Sequence, residues 1–285
     1  MRLELAGSLV VPTPINLGYI VDGTFDPGPY ITQGYTAFDV ICIGAGGGRG
    51  GGVDTNNTGT LVRNYGGEGG GGGIHRVQGL LSELPASVDI VVGAAGADGA
   101  DSASDPGATT DGSNGGYSSF NGTTCRASGG IGGKRAQFND YTTSTEADGG
   151  DGGIGGTTTA GGGGAGGTAG TPADPGAGTP GTDGEDGTWD GTIGSGGGGG
   201  AGGVGKYSTA TTLNFATNGG RGAYNPGDLS VYAIAGERSD DGGSGCIDIV
   251  PGTGGGAKAA PLTGNSADFG RSGEAGWVVV RLTAG

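Results

Sequence analysis

The sequence predicts a mainly β protein in which a small sheet or sandwich clamps a bundle of polyglycine II-type extended helices, with essentially no α-helix. Three observations predict it. Glycine supplies 78 of the 285 residues, several times the usual share of about 7%. The β-branched and aromatic residues gather into short runs, and the strongest, Phe38–Ile43 and Trp277–Leu282, stand at the two ends of the glycine-rich part. No segment sustains a helical period. Scarce large aliphatics and a formal net charge of −15 would by themselves suit a disordered chain. The clustering of apolar residues into strand-like runs opposes that reading.

Residues 1–33 differ from the rest. Leu3, Leu5, Leu9 and Val11 fall on odd positions, as in a strand with one buried face. Pro12 and Pro14 break it, Ile15–Ile20 is a second apolar piece, and Asp26-Pro27-Gly28-Pro29 reads as a turn or linker. This stretch is not glycine-rich and reads as an arm that anchors the chain to something outside the main body. Residues 34–285 then form the glycine-rich domain, with 34–133 and 276–285 as the β clamp and 134–275 as the body of glycine tracts.

Within the clamp, residues 35–43 make the first core strand. Phe38–Ile43 is apolar except at Asp39, so both of its faces are expected to be covered. Residues 74–81 and 88–92 make two more strands, and residues 83–87 between them read as a hairpin loop. A second hairpin joins Tyr117–Phe120 to Thr123–Ala127 around Asn121-Gly122, a strong turn signal. Residues 278–282 form the last strand, expected to pair beside the first.

The main glycine tracts span 149–156, 161–167 and 196–203. They are either flexible coil, as in Gly/Ser linkers, or extended helices of three residues per turn that pack closely and hydrogen-bond sideways. Ordering costs about 1–2 kcal/mol per backbone residue, so the second reading needs many tracts sharing hydrogen bonds. Apolar runs at 231–234 and 246–250, which linkers seldom carry, favour the bundle. Gly178, Gly181, Gly184 and Gly187 keep a three-residue period that suits such a helix. The period fails by Gly191 and proline is sparse, which excludes collagen. Aromatic residues punctuate the tracts, and Trp189, Tyr207 and Tyr224 are the candidates for surface recognition.

Several motifs tempt a chemical reading. Asp-Val-Ile-Cys-Ile-Gly-Ala-Gly, residues 39–46, looks like the first strand and turn of a dinucleotide-binding fold. The third glycine position holds Arg49, and no helix can follow, so no cofactor is expected. Aspartates at 98, 101, 105, 148, 151, 183, 186 and 190 stand among glycines without the nine-residue calcium repeat. They read as solvated turn residues, and no metal is expected. His75 is the sole histidine and lacks a partner by spacing. Ser195, Ser244 and Ser272 lack the nucleophile elbow. No catalytic residue is therefore expected, and the chain reads as a non-enzyme. Cys42, Cys125 and Cys246 are odd in number and widely spaced, and read as small buried hydrophobes. Scattered basic residues on an acidic chain argue against nucleic acid. No window is long enough to span a membrane, and Glu4 interrupts the short apolar N-terminus, so no signal peptide is expected.

The order of pieces resembles the glycine-rich domain of tailed-bacteriophage minor tail proteins. The opening strand ending in glycines is Phe38–Gly48, and the Val-Gly-Ala-Gly strand corresponds to residues 91–96. Gly-Gly-x-Ser-Ser-Phe-Gly corresponds to residues 115–121, departing at Asn121 where glycine is usual. Ala127-Ser128-Gly129-Gly130 follows, and Gly276–Arg281 is the closing Gly-x-Val-Val-Val-Arg strand. The resemblance covers residues 35–285. It implies a structural virion component at or near the tail tip, made in the host cytoplasm, with other tail proteins as partners and as a homo-oligomer. It also implies a role in host attachment, since the phage adhesins it looks like present variable loops at one end. The alternative it leaves open is a dedicated adhesin for a host glycan or receptor. A cellular glycine-rich matrix or wall protein is a third reading, against which the absence of a signal peptide weighs.

Overall fold

A computed structural model describes residues 11–57, 60–64, 66–101, 109–135, 137–138, 144–145, 148, 150–166, 168, 184–185, 187–188, 190–196, 204–206 and 273–284. In chain order the elements are β1 Ile15–Tyr19, β2 Gly23–Phe25, α1 Gly28–Thr32, β3 Ala37–Ile43, β4 Val53–Asn57, β5 Thr60–Asn64 and β6 Ile74–Leu80. After a single 3-10 turn at Leu81–Glu83 come β7 Val88–Val91, β8 Ser118–Phe120, β9 Cys125–Ala127, β10 Gln137–Phe138 and β11 Ser144–Thr145. The remaining strands are β12 Ile193–Gly194, β13 Val204–Lys206 and β14 Trp277–Thr283. The protein is mainly β, and among the described residues helix is confined to the five residues of α1 and the 3-10 turn.

Two antiparallel sheets form the clamp. One has the order β1-β14-β3-β6-β12 and the other β2-β7-β8-β9. The closing strand pairs with the opening one as expected, from Trp277 opposite Ile43 to Thr283 opposite Ala37. Alternation along these strands sends Phe38, Val40, Cys42, Val278, Val280 and Leu282 into the space between the sheets, where they meet Phe25, Val88, Ile90, Phe120, Cys125 and Ala127. Phe120 links the sheets, its ring 5.9 Å from Phe38 and 6.0 Å from Phe25. On the other face Ile41, Ile43 and Ile74 are also buried, so the opening strand is covered on both sides as its composition predicts. Gly79, opposite Phe38 in the pairing, leaves room for its ring, since a Cβ there would stand 2.8 Å from the Phe38 ring.

Beyond Ile43 and Ile74 the strands give way to glycine tracts that are bonded laterally, tract to tract. Gly44, Gly47 and Gly50 donate to the carbonyls of Gly73, Gly70 and Gly67 at 2.9 Å. The next residues along, Ala45, Gly48 and Gly51, donate to Gly116, Ser113 and Thr110. On a third side Gly46 and Arg49 accept from Gly96 and Gly99. Three consecutive residues thus face three neighbours, and the pattern of lateral bonds repeats every third residue. A second layer continues it: Gly67, Gly70 and Gly73 donate to Lys134, Ile131 and Ser128, and Ile131 and Lys134 donate to Asp151 and Asp148. Gly47 shows why the tract is glycine, since a Cβ there would stand 2.2 Å from the Ile131 carbonyl oxygen.

Three expectations are corrected. The 1–33 segment is not an arm outside the body: from Ile15 on it is woven into the clamp. β1 pairs with β14 from Ile15–Leu282 to Tyr19–Val278, β2 pairs with β7, and Phe25 is buried in the core. The Asp26-Pro27-Gly28-Pro29 turn starts α1, with Pro27 at its N-cap. Residues 83–87 do not close a hairpin. Leu81 donates its N–H to Thr36 and its side chain fills the core, so the chain crosses there from one sheet to the other. The boundary between clamp and glycine body is not at residue 133, because the lateral lattice begins at Gly44 and takes in 44–52, 66–73, 93–101 and 109–116. The expected Asn121-Gly122 hairpin is present as β8–β9, with Asn121 at φ 52° and Gly122 at φ 60°, in a loop of four residues between paired Phe120 and Cys125. The runs at 231–234 and 246–250 lie outside the described residues.

Candidate functional site

The strand directions give the molecule two ends. β3 enters the lattice at Gly44, β6 leaves it at Ile74 and β14 leaves it at Trp277. The opposite strand ends, Ala37, Leu80 and Thr283, lie together at the base of the clamp. At the far end, the tip, the lateral bonds gather the ends of successive tracts: Gly51 with Thr110, Gly50 with Gly67, Gly67 with Lys134, and Lys134 with Asp148. The described residues that flank 53–65, 102–108 and 136–147 therefore all stand at the tip. Within these stretches the described strands are the β4–β5 pair, to which β13 adds, and the β10–β11 pair.

Ionic contacts lock the tip. Arg49, 6% exposed, donates through Nη1 and Nη2 to the two carboxylate oxygens of Asp101 at 2.8 and 3.1 Å, and its Nε stands 3.5 Å from Asp98. Asp101 also accepts from the Gly52 N–H at 2.9 Å. Asp111 accepts from the Arg135 N–H at 2.9 Å and pairs with Lys134 at 3.3 Å. Asp98 and Asp101 are thus ion-pair partners between tracts and not the solvated turn residues expected. Asp190 does fit that expectation, accepting from the N–H groups of Thr192 and Ile193 at 2.8 and 2.7 Å. These two bonds hold its carboxyl below the usual range. Sequence reading missed Arg49, taking it only as a break in a glycine motif. A signal was present: Asp98 follows Gly93 at the same interval as Arg49 follows Gly44, and the two tracts run parallel.

The base carries the other candidate surface. A hollow of about 400 Å³ is lined by Asp39, Arg76, Gln78 and Arg281, with Phe38 and Thr283 beside them. Asp39 accepts from Arg76 Nε at 2.8 Å and from Gln78 Nε2 at 3.0 Å, and the Asp39 bond raises the Arg76 pKa further. Val11, Ile31 and Leu80 are exposed at this end. The backbone ties them to one segment: Gly34 donates to Ile31, Tyr35 donates through its hydroxyl to Thr13, and Thr36 accepts from Leu81.

Between base and tip, His75 and the two described cysteines stitch the sheets. His75 Nδ1 accepts from the Arg126 N–H at 3.1 Å, and the Cys125 thiol lies 3.1 Å from the His75 carbonyl oxygen. Burial is the main cause that pushes the His75 pKa down, and burial together with the neighbouring Cys125 pushes the Cys42 thiol well up. Ser195 is buried and accepts from the Thr188 N–H at 2.8 Å. Among the described residues no three His, Cys, Asp or Glu side chains gather to hold a metal ion, and no helix is long and apolar enough to cross a membrane.

The chain matches no family model and no curated protein. Of the candidate residues, the structure places Val11, which is exposed at the base. Leu3, Leu5 and Leu9 of the anchor set, and Trp189, Tyr207 and Tyr224 of the recognition set, lie outside the described residues. What the described geometry brings together is a side-chain-bearing base, a lattice poor in side chains, and a tip where connections converge.

Proposed function

We propose that the protein is a structural minor tail protein of a tailed bacteriophage, sited at or near the tail tip and contributing to host-surface recognition. In this reading the lattice is a bundle of polyglycine II-type helices that acts as a stiff spacer. The clamp faces the particle and the tip faces outward. The observation that carries the reading is the division of the chain between its two ends. Val11, Leu80 and Thr283 lie on the clamp side, while the tract ends that flank 53–65, 102–108 and 136–147 lie at the far end of the glycine tracts. A lattice held by backbone bonds lets those connections vary without touching a core, and recognition residues concentrate on such loops carried by a rigid scaffold.

The test is to locate the protein in particles that encode it. Antibody against the 53–65 connection, viewed by electron microscopy, should decorate the distal end of the tail. Deleting residues 1–10, and not 1–33, tests the anchor without cutting into β1 or β2. Loss of the protein from purified particles is expected. Particles that lack the protein from the outset would overturn the structural role. Unlabelled tails with strong binding of the free protein to host cells would favour the dedicated adhesin.

A further inference from the structure

β1 is the outermost strand of its sheet, and among the described residues nothing pairs with its outer side. An edge of this kind is a template for another strand unless it is blunted by charge, proline or a bulge. β1 has none of these: it reads Ile15-Asn16-Leu17-Gly18-Tyr19, and residues 5–21 carry no charged side chain. The chain also leaves β1 through Ile20 and Val21, which are 72% and 69% exposed. Gly18 keeps the outward face flat, because the Trp277 indole lies over it, 3.1 Å from where a Cβ would stand.

We infer that β1 is a dimerisation edge, at which a second copy of this chain pairs its own β1 antiparallel to the first. The strand is self-complementary about Leu17. A twofold axis there sets Ile15 opposite Tyr19 of the second copy, Asn16 opposite Gly18, and Leu17 opposite Leu17. The side chains of Ile15, Leu17 and Tyr19, half-buried against the core, then meet their counterparts on one face, and the two sheets become one. Isologous pairing of identical edges is the simplest closed assembly, and ladder hydrogen bonds supply its affinity. Charge favours this edge as the contact, because two chains of net −15 repel least where neither bears a charge. Added salt should therefore strengthen the dimer by screening the remaining repulsion.

Sedimentation equilibrium of the purified full chain tests this, together with Asn16→Lys/Ile20→Lys and Asn16→Gln variants. Asn16 is exposed, so each variant should keep the far-UV spectrum and melting temperature of the wild type. The expected result is a wild-type dimer that tightens with sodium chloride, is retained by Asn16→Gln, and weakens at least about tenfold in the lysine variant. A monomeric wild type, or a dimer that the lysines leave intact, overturns the inference. Antiparallel pairing of β1 points the two tips in opposite directions, so the dimer is a form of the free protein and not of the tail, and its failure leaves the tail-tip reading standing.

Discussion

Arg49 and Asp101, 52 residues apart in the chain, form a two-pronged ion pair at the tip of the lattice, at 2.8 and 3.1 Å. Each sits at the end of a tract that is otherwise nearly without side chains. Backbone bonds alone align tracts but fix their register weakly, since one glycine is like the next. A bidentate pair between charged groups is directional and sets that register.

Replacing Arg49 by Met should cost about 3 kcal/mol of unfolding free energy, because it removes the cation that two partly buried carboxylates, Asp98 and Asp101, face. The double change Arg49→Met/Asp101→Asn should recover only part of that loss, because it neutralises Asp101 but leaves the Asp98 charge that faces the Arg49 Nε at 3.5 Å. Urea denaturation of the three proteins measures both effects. Equal stability of wild type and Arg49→Met would show that the pair does not hold the tip.

Gly47→Ala and Gly122→Ala separate two reasons for glycine. At Gly47 the backbone suits any residue but the space does not, since the new methyl would stand 2.2 Å from the Ile131 carbonyl oxygen. At Gly122 the space is open, with nothing within 4 Å, but φ is 60°. Gly47→Ala should cost about 3 kcal/mol or more as tracts are forced apart, and Gly122→Ala only about 1–2 kcal/mol. Thermal melts followed by circular dichroism give the ranking. The reverse order would mean that the tracts can slide apart at little cost.

The parts of the fold that were legible in sequence are those that side chains write. Phe38–Ile43 and Trp277–Thr283 announce a buried pair by their β-branched residues, and Asn121-Gly122 announces its turn by the φ values it needs. The lattice leaves no such trace before residue 134, because a tract packed through its backbone has no hydrophobic period to read. Ile15–Tyr19 looked detached because its proline and turn flanks suggest a linker, whereas its partner β14 lies at the far end of the chain. The 83–87 connection misled because hairpin and sheet-to-sheet crossing have the same loop length and differ only in where Leu81 is buried. At the site level, Arg49 shows in the sequence only as a break in a nucleotide-type motif, and the hollow around Asp39 depends on a cross-strand row that only the register reveals.

His75 links stability to pH. Burial disfavours its charged form, so its folded pKa lies below the unfolded value of about 6.5. The unfolded chain therefore binds more protons in that range, and stability rises with pH there. The contribution is complete above about pH 6.5 and is lost as pH falls toward the folded pKa. The side chain is only half-buried, so solvent screening keeps the effect below about 1 kcal/mol. Asn in place of His75 keeps an acceptor for the Arg126 N–H but does not titrate. Between pH 7 and pH 5 the wild type should lose stability faster than His75→Asn. Parallel curves would place the titration elsewhere.

Hydrogen exchange distinguishes an ordered lattice from glycine coil. In a coil, glycine amides face water and exchange at the unprotected rate. In the lattice the N–H groups of Gly44, Ala45, Gly46, Gly47, Gly48, Gly50 and Gly51 each donate to another tract, while the Arg49 N–H points to Asp98 at 3.3 Å. Protection in a structure follows from such bonds and from the cooperative opening needed to break them. Peptides from 44–52, 66–73 and 128–134 should therefore exchange together and as slowly as β3, because opening one tract strips the partners of its neighbours. Gly47→Ala should release all three segments at once while β14 stays protected. Rapid exchange across 44–52 in the wild type, with β3 still protected, would show that the clamp folds around disordered glycine and would remove the stiff spacer from the proposed role.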